Sequence, residues 1–201
     1  MESRFDSEVL RALEKWPNVP ACYDWLRLSR RGQWLIKDQP ISHRGAIDFL
    51  NRNYACDAQG QWFIQNGPQR AYCVLDYTPW IYQLDGFDRI QTHTRREASE
   101  LQVLVIDDEG NLLLQTDLGI GLLQDRDLAR FIQVLDDQAG SSAAGGGVAN
   151  FLTNITSGSI TPAAIAWNGG CVPVRAMRAV DIPAEFGFVD TPAPITDGDT
   201  A

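Results

Sequence analysis

Catalysis in this chain would have to start from two histidines, His43 and His93, the only ones among 201 residues. A serine–histidine–acid triad needs one of them as a positioned base. Ser42-His43 opens a segment of helical periodicity, where Ser42 is expected to act as an ordinary N-cap. His93, between Thr92 and Thr94, is expected on an exposed strand or loop, and no G-x-S-x-G turn offers a nucleophile. Asp107, Glu109 and Asn111 alternate as calcium ligands do. The glycine and terminal glutamate of an EF-hand loop are replaced here by Leu112 and Leu118, and Asp-Glu-Gly is better read as hairpin-turn chemistry. Gly119-Ile120-Gly121 and Gly145-Gly146-Gly147 fit neither phosphate-loop pattern, and the chain has two lysines, Lys15 and Lys37. No catalytic residue is assigned, and no metal or cofactor is expected.

One stretch gathers the groups a binding site needs. Residues 62–82 contain Trp62, Arg70, Tyr72, Asp76, Tyr77 and Trp80, interrupted by Pro68 and Pro79. A cation, a carboxylate and phenolic hydroxyls held among aromatic walls suit a ligand pocket or a protein-binding patch. These six are the candidate ligand-binding residues. The plain alternative is that Trp62 and Trp80 are core and Arg70 pairs with a surface carboxylate.

The elements that would position them are legible as periodicities. Val9, Leu13 and Trp16 mark an amphipathic helix over 5–16, stopped by Pro17. Trp25–Leu28 and Trp34–Ile36 read as a hairpin around Ser29-Arg30-Arg31-Gly32, followed by a helix over 43–54 with Ala46, Ile47, Phe49, Leu50 and Tyr54 on one face. A second hairpin joins Trp62–Ile64 to Ala71–Leu75 through Asn66-Gly67-Pro68, and Trp80–Tyr82 resumes extended structure. A third joins 101–106 to 111–115, and Leu128, Phe131, Ile132 and Leu135 then give a helix over 125–137. Gly32-Gln33-Trp34-Leu35-Ile36 is echoed by Gly60-Gln61-Trp62-Phe63-Ile64, and more faintly by Gly110-Asn111-Leu112-Leu113-Leu114. The fold expected is α+β: antiparallel hairpins in one or two small sheets with about three packed helices, arranged as two similar ββα units. The expected partition is a main core over 1–137, a Gly/Ser/Ala-rich flexible loop over 138–159, strands closing the sheet over 160–189, and a loose tail over 190–201.

Charge narrows the partners. Residues 1–100 hold 13 Lys+Arg and 13 Asp+Glu, whereas 101–201 hold 4 and 13, so the whole net charge of −9 resides in the second half. A negative field repels phosphate backbones, which argues against nucleic acid. No apolar run is long enough for a membrane span, and the start lacks a basic, then apolar, secretory signal. Cys22, Cys56, Cys73 and Cys171 are irregularly spaced and are expected as free thiols of a cytoplasmic protein.

The run Gly32-Gln33-Trp34, Pro40-Ile41, Gly60-Gln61-Trp62-Phe63, Asn66-Gly67-Pro68-Gln69-Arg70 and Tyr77-Thr78-Pro79-Trp80 resembles an uncharacterised proteobacterial family, a domain of unknown function. The similarity spans roughly residues 8–85, with an echo near 182–189. It implies a bacterial source and carries no activity, cofactor or functional residue. The expectation is a non-enzymatic cytoplasmic binding or regulatory module that recognises a small molecule or a protein through the aromatic and arginine surface at 62–82. The alternative is a small enzyme using carboxylate and histidine groups, with Asp76 beside Arg70 or His43.

Overall fold

The structure, a computed structural model, describes residues 5–16, 19–139 and 164–194. Most of the Gly/Ser/Ala-rich stretch and the end of the tail lie outside these residues, as does Pro17. The chain divides into two compact units, one of Met1–Pro79 with Gly187–Ala201 and one of Trp80–Phe186. The second unit is thus an insertion in the first, and its boundary at Pro79–Trp80 cuts the 62–82 stretch.

In the first unit α1 (Ser7–Lys15) precedes β1 (Cys22–Leu28), β2 (Trp34–Ile36), β3 (Gln39–Pro40), α2 (Arg44–Arg52), β4 (Tyr54–Cys56), β5 (Trp62–Asn66) and β6 (Gln69–Leu75). The sheet order is β3-β2-β1-β6-β5-β4. In the second unit β7 (Trp80–Leu84), β8 (Ile90–Thr92), β9 (Leu101–Asp107), β10 (Leu112–Thr116), β11 (Gly119–Leu123), α3 (Leu128–Ala139), β12 (Ala164–Trp167), β13 (Gly170–Met177) and α4 (Ile182–Phe186) follow, in the order β12-β13-β9-β10-β11-β7-β8. The α+β class and the expected hairpins are present. The sheets are mixed, because β1 runs parallel to β6, β9 to β13 and β7 to β11.

The two ββα units are real and larger than the sequence suggested. In the first unit β1–β3, α2 and β4–β6 follow one another, and in the second, after β7 and β8, come β9–β11, α3 and β12–β13; in each series the first strand lies parallel to the last. Under that correspondence β1–β2 matches β9–β10, so the topological partner of Gly32 is Gly110, the fainter echo. The stronger match, Gly32 with Gly60, lies in the hairpin between β4 and β5 and reflects shared turn chemistry. Ser29, Asp57, Asp85 and Asp107 each accept backbone N–H bonds from two and four residues on, at 2.7–3.3 Å. The fourth position of each turn is left-handed, at Gly32, Gly60, Asp88 and Gly110. This is a type I turn closed by a bulge, and it explains the Asp107-Glu109-Asn111 pattern without a metal.

Three local expectations are corrected. The cap of α2 is His43, whose Nδ1 accepts from the Ala46 N–H at 3.2 Å, and Ser42 lies outside the helix. The helix ends at Arg52, and Tyr54 belongs to β4, where its buried hydroxyl donates to the Pro79 carbonyl at 3.0 Å. Trp16, placed on the stripe of the first helix, and Trp25, placed in a strand, are not core: each is 52% exposed, with Lys15 and Lys37 over their rings, whereas Trp34 and Trp62 are buried. A helical stripe or short strand tells which residues share a side; it does not tell whether that side is covered.

The first unit is buried on both faces of its sheet, with Ala55, Phe63 and Tyr72 forming a separate apolar cluster on one of them. Leu26, Leu28, Trp34, Ile64, Cys73 and Leu75 are all buried, and Trp34 and Trp62 both lie against the Tyr54 ring. In the second unit the β-strand leucines, Trp80, Ile81 and Tyr82, and Phe131 and Leu135 of α3 are buried, with Phe131 lying against Trp167 of β12. Among the described residues no helix is long and apolar enough to cross a membrane.

Candidate functional site

Strand alternation decides where each candidate points. Register pairs Phe63 with Tyr72 and Ala55 with Phe63, so these three share the face of the first sheet opposite Trp62. Arg70, two residues before Tyr72, lies on that same face. Its guanidinium sits 4.6 Å from the centre of the Phe63 ring, a cation–π contact. Tyr72 is stacked on Tyr23 of the neighbouring parallel strand, with centroids 4.7 Å apart and planes within 4°. Its hydroxyl donates to Asp57 Oδ2 at 2.9 Å. Phe5 packs against Phe63, 6.4 Å between centroids with the rings tilted by 47°.

The group so formed is Arg70, Phe63, Tyr72, Tyr23 and Asp57. Burial foremost raises the Tyr72 phenol above its ordinary value; Asp57 acts in the same direction and Arg70 against it. Tyr72 therefore stays a neutral hydrogen-bonding group at physiological pH. Among the described residues no carboxylate forms an ion pair with Arg70. Its charge is steadied by ring faces and remains exposed to an incoming anion.

The other candidates lie elsewhere. Trp62 is buried on the opposite face beside Tyr54. Asp76 follows β6 and pairs with Arg27 at 3.1 Å, while Arg27 also reaches Asp38 at 3.1 Å. Tyr77 lies under the Arg30 guanidinium, 4.6 Å from its ring centre. Trp80 belongs to the second unit, where it is buried and its indole N–H donates to the Leu118 carbonyl at 2.7 Å. Of the six, Arg70 and Tyr72 come together.

Nor do the acid–base groups of the alternative reading converge. Asp76 is six residues from Arg70, about 20 Å along an extended strand, and His43 is committed to capping α2. His93, expected exposed, sits after β8 with its ring 5.8 Å from Trp80 and its Nε2 out of reach of solvent. Burial of the ring pushes its pKa down to about 3, so it is neutral at physiological pH although the residue as a whole is half-buried. The tight turn from β8 folds it back onto Ile81, whose carbonyl accepts the His93 backbone N–H at 2.7 Å.

The sequence reading missed Tyr23, Phe63 and Asp57 as site residues. Asp57 had a signal, since Asp57-x-x-Gly60-Gln61-Trp62 repeats Ser29-x-x-Gly32-Gln33-Trp34 and marks a side chain fixed at a turn. Phe63 follows from alternation once Tyr72 is placed. Tyr23 had none, because its place depends on the parallel pairing of β1 with β6.

A family model, DUF2944, described as a protein of unknown function (DUF2946), matches residues 5–193. The chain belongs to that family. The match spans both units and all five residues of the arginine–tyrosine group. No curated protein matches the chain. A crystal structure of a DUF1285 family protein from Silicibacter pomeroyi DSS-3 is similar over 86% of this chain and 89% of its own, with a TM-score of 0.51 at 13% identity. A second DUF1285 family protein, from Shewanella baltica OS155, aligns over 54% of this chain and 91% of its own, at 10% identity and a TM-score of 0.41. The first likeness shows a shared fold.

Proposed function

We propose that this member of the DUF2944 family is a bacterial, cytoplasmic, non-enzymatic binding module. Its first unit recognises a small molecule bearing a carboxylate or phosphate beside a flat ring, through Arg70 and the Tyr23–Tyr72 stack. The observation that carries this reading is the exposed Arg70 guanidinium, held over Phe63 beside the Tyr72 phenol with no carboxylate among the described residues ion-paired to it. An arginine already oriented by a ring face loses little freedom when it takes up an anion, which favours binding. The four cysteines, none of them in a disulfide, fit a reducing compartment.

The test uses benzoate and phenyl phosphate as probes, followed through the Arg70 Nε–H and tyrosine ring signals by NMR. A saturable shift of both sets in the full chain, lost in Arg70→Ala and weakened in Tyr23→Leu, is the expected result. Equal shifts in Arg70→Ala, or shifts that never saturate, would remove the assignment.

A further inference from the structure

The second unit contains a recess of about 310 Å³, made entirely from its own residues. It lies where the two edges of one sheet approach each other. β8 and β12 end the strand order on opposite sides, yet Ile90 of β8 and Trp167 of β12 both line the recess. The sheet is therefore curled, and the recess is its open seam. Ligand sites favour such concave mouths of curled sheets.

Ile90, Leu101 and Trp167, all buried, underlie the recess, and Trp167 is backed by Phe131 at 5.4 Å, while the surface open to a ligand is mainly polar. At the rim stands Phe87, 81% exposed on the turn between β7 and β8. That turn is fixed by Asp85, which accepts the Phe87 and Arg89 N–H groups at 2.8 and 3.0 Å. Asp88, Glu97 and Glu100 bring three carboxylates to the lining, against one cation, Arg89.

The cations there are already committed. Arg89 bridges Asp85 at 2.7 Å and Glu97 at 2.9 Å, and Arg130 of α3 reaches Asp88 at 2.5 Å. Glu100 accepts from the Gln102 amide at 3.2 Å and forms no ion pair among the described residues. Acidic side chains alone would be a solvated face. Here they edge a cavity with an indole in its wall and a bare phenyl ring at its mouth, and aromatic faces beside carboxylates suit an organic cation.

We propose that this recess binds a small organic ammonium ion, its charge taken by Glu100 and its apolar part laid between Phe87 and Trp167. It is independent of the anion site proposed on the first unit, and opposite to it in charge preference.

The test titrates the full chain with benzylammonium, and with benzyl alcohol and benzoate as neutral and anionic counterparts, reading the Trp167 indole N–H and the amides of 97–101 by NMR. Benzylammonium should shift them saturably and more tightly than either counterpart. Glu100→Gln should weaken it about fivefold, the upper range for a solvent-accessible charge pair, and Phe87→Ala should weaken benzylammonium more than tetramethylammonium. Both substitutions are at surface positions, and unchanged amide spectra in the absence of probe verify the fold. Benzoate binding as well as benzylammonium, an unaltered affinity in Glu100→Gln, or no saturable shift would each overturn the proposal. Loss of the Arg70 response leaves this outcome untouched, so the two sites fail separately.

Discussion

Acid should destabilise the second unit through one residue, His93. A histidine held below its unfolded pKa is stabilising while neutral; that contribution is complete above about pH 6.5 and is lost as pH falls towards the folded value. With an ordinary value of 6.5 and a folded value of about 3, proton linkage between pH 8 and pH 5 amounts to about 2 kcal/mol. The cause is local: the ring lies against Trp80, and Nδ1 faces the Ile81 N–H at 3.4 Å, so a proton there would set two donors against each other. Asp85, Asp117 and Asp181 are held below their ordinary 3.8 by hydrogen bonds and arginines, so their own losses begin only at lower pH. The assay is hydrogen exchange of the slowest β7 amides at pH 8 and pH 5, corrected for intrinsic rates, in the parent and in His93→Gln. The parent should lose about 2 kcal/mol of opening free energy, as the linkage requires, and the variant should lose nearly none. Equal losses in both, or a flat parent, would refute the reasoning.

Glycine replacements separate backbone strain from crowding. Gly60 has φ +80° and an added Cβ would stand 2.4 Å from the Gly187 carbonyl oxygen, whereas Gly110 has φ +84° with nothing within 4 Å. Gly110→Ala should therefore cost about 1 kcal/mol in urea unfolding, and Gly60→Ala clearly more, with loss of the Val189-to-Gly60 backbone bond. Tyr54→Phe removes the buried hydroxyl that satisfies the Pro79 carbonyl and should cost about 1–3 kcal/mol by the same measurement.

Much of the local structure was written in the sequence. The hairpins around Gly32, Gly67 and Gly110 and the three main helices follow from turn residues and periodicities that act within a few positions. The repeated Ser/Asp-x-x-Gly turn is likewise a matter of one side chain and the next four backbone groups. The gathering of aromatic and charged side chains at 62–82 was visible as composition. Which of them meet was not, because neighbours in the chain alternate between sheet faces and Trp80 begins a different unit.

Composition and spacing by themselves determined that the chain makes hairpins and short helices, that its negative charge lies in its second half, and that its two histidines have no partners in a recognisable catalytic motif. Only tertiary structure decided that β1 lies beside β6, which brings Tyr23 onto Tyr72, and that a curled sheet brings Trp167 and Ile90 to one recess. Those placements bring together residues 49 and 77 positions apart in the chain. They depend on strand order and twist, which balance loop entropy against burial over a whole unit, and no short run of residues records that balance.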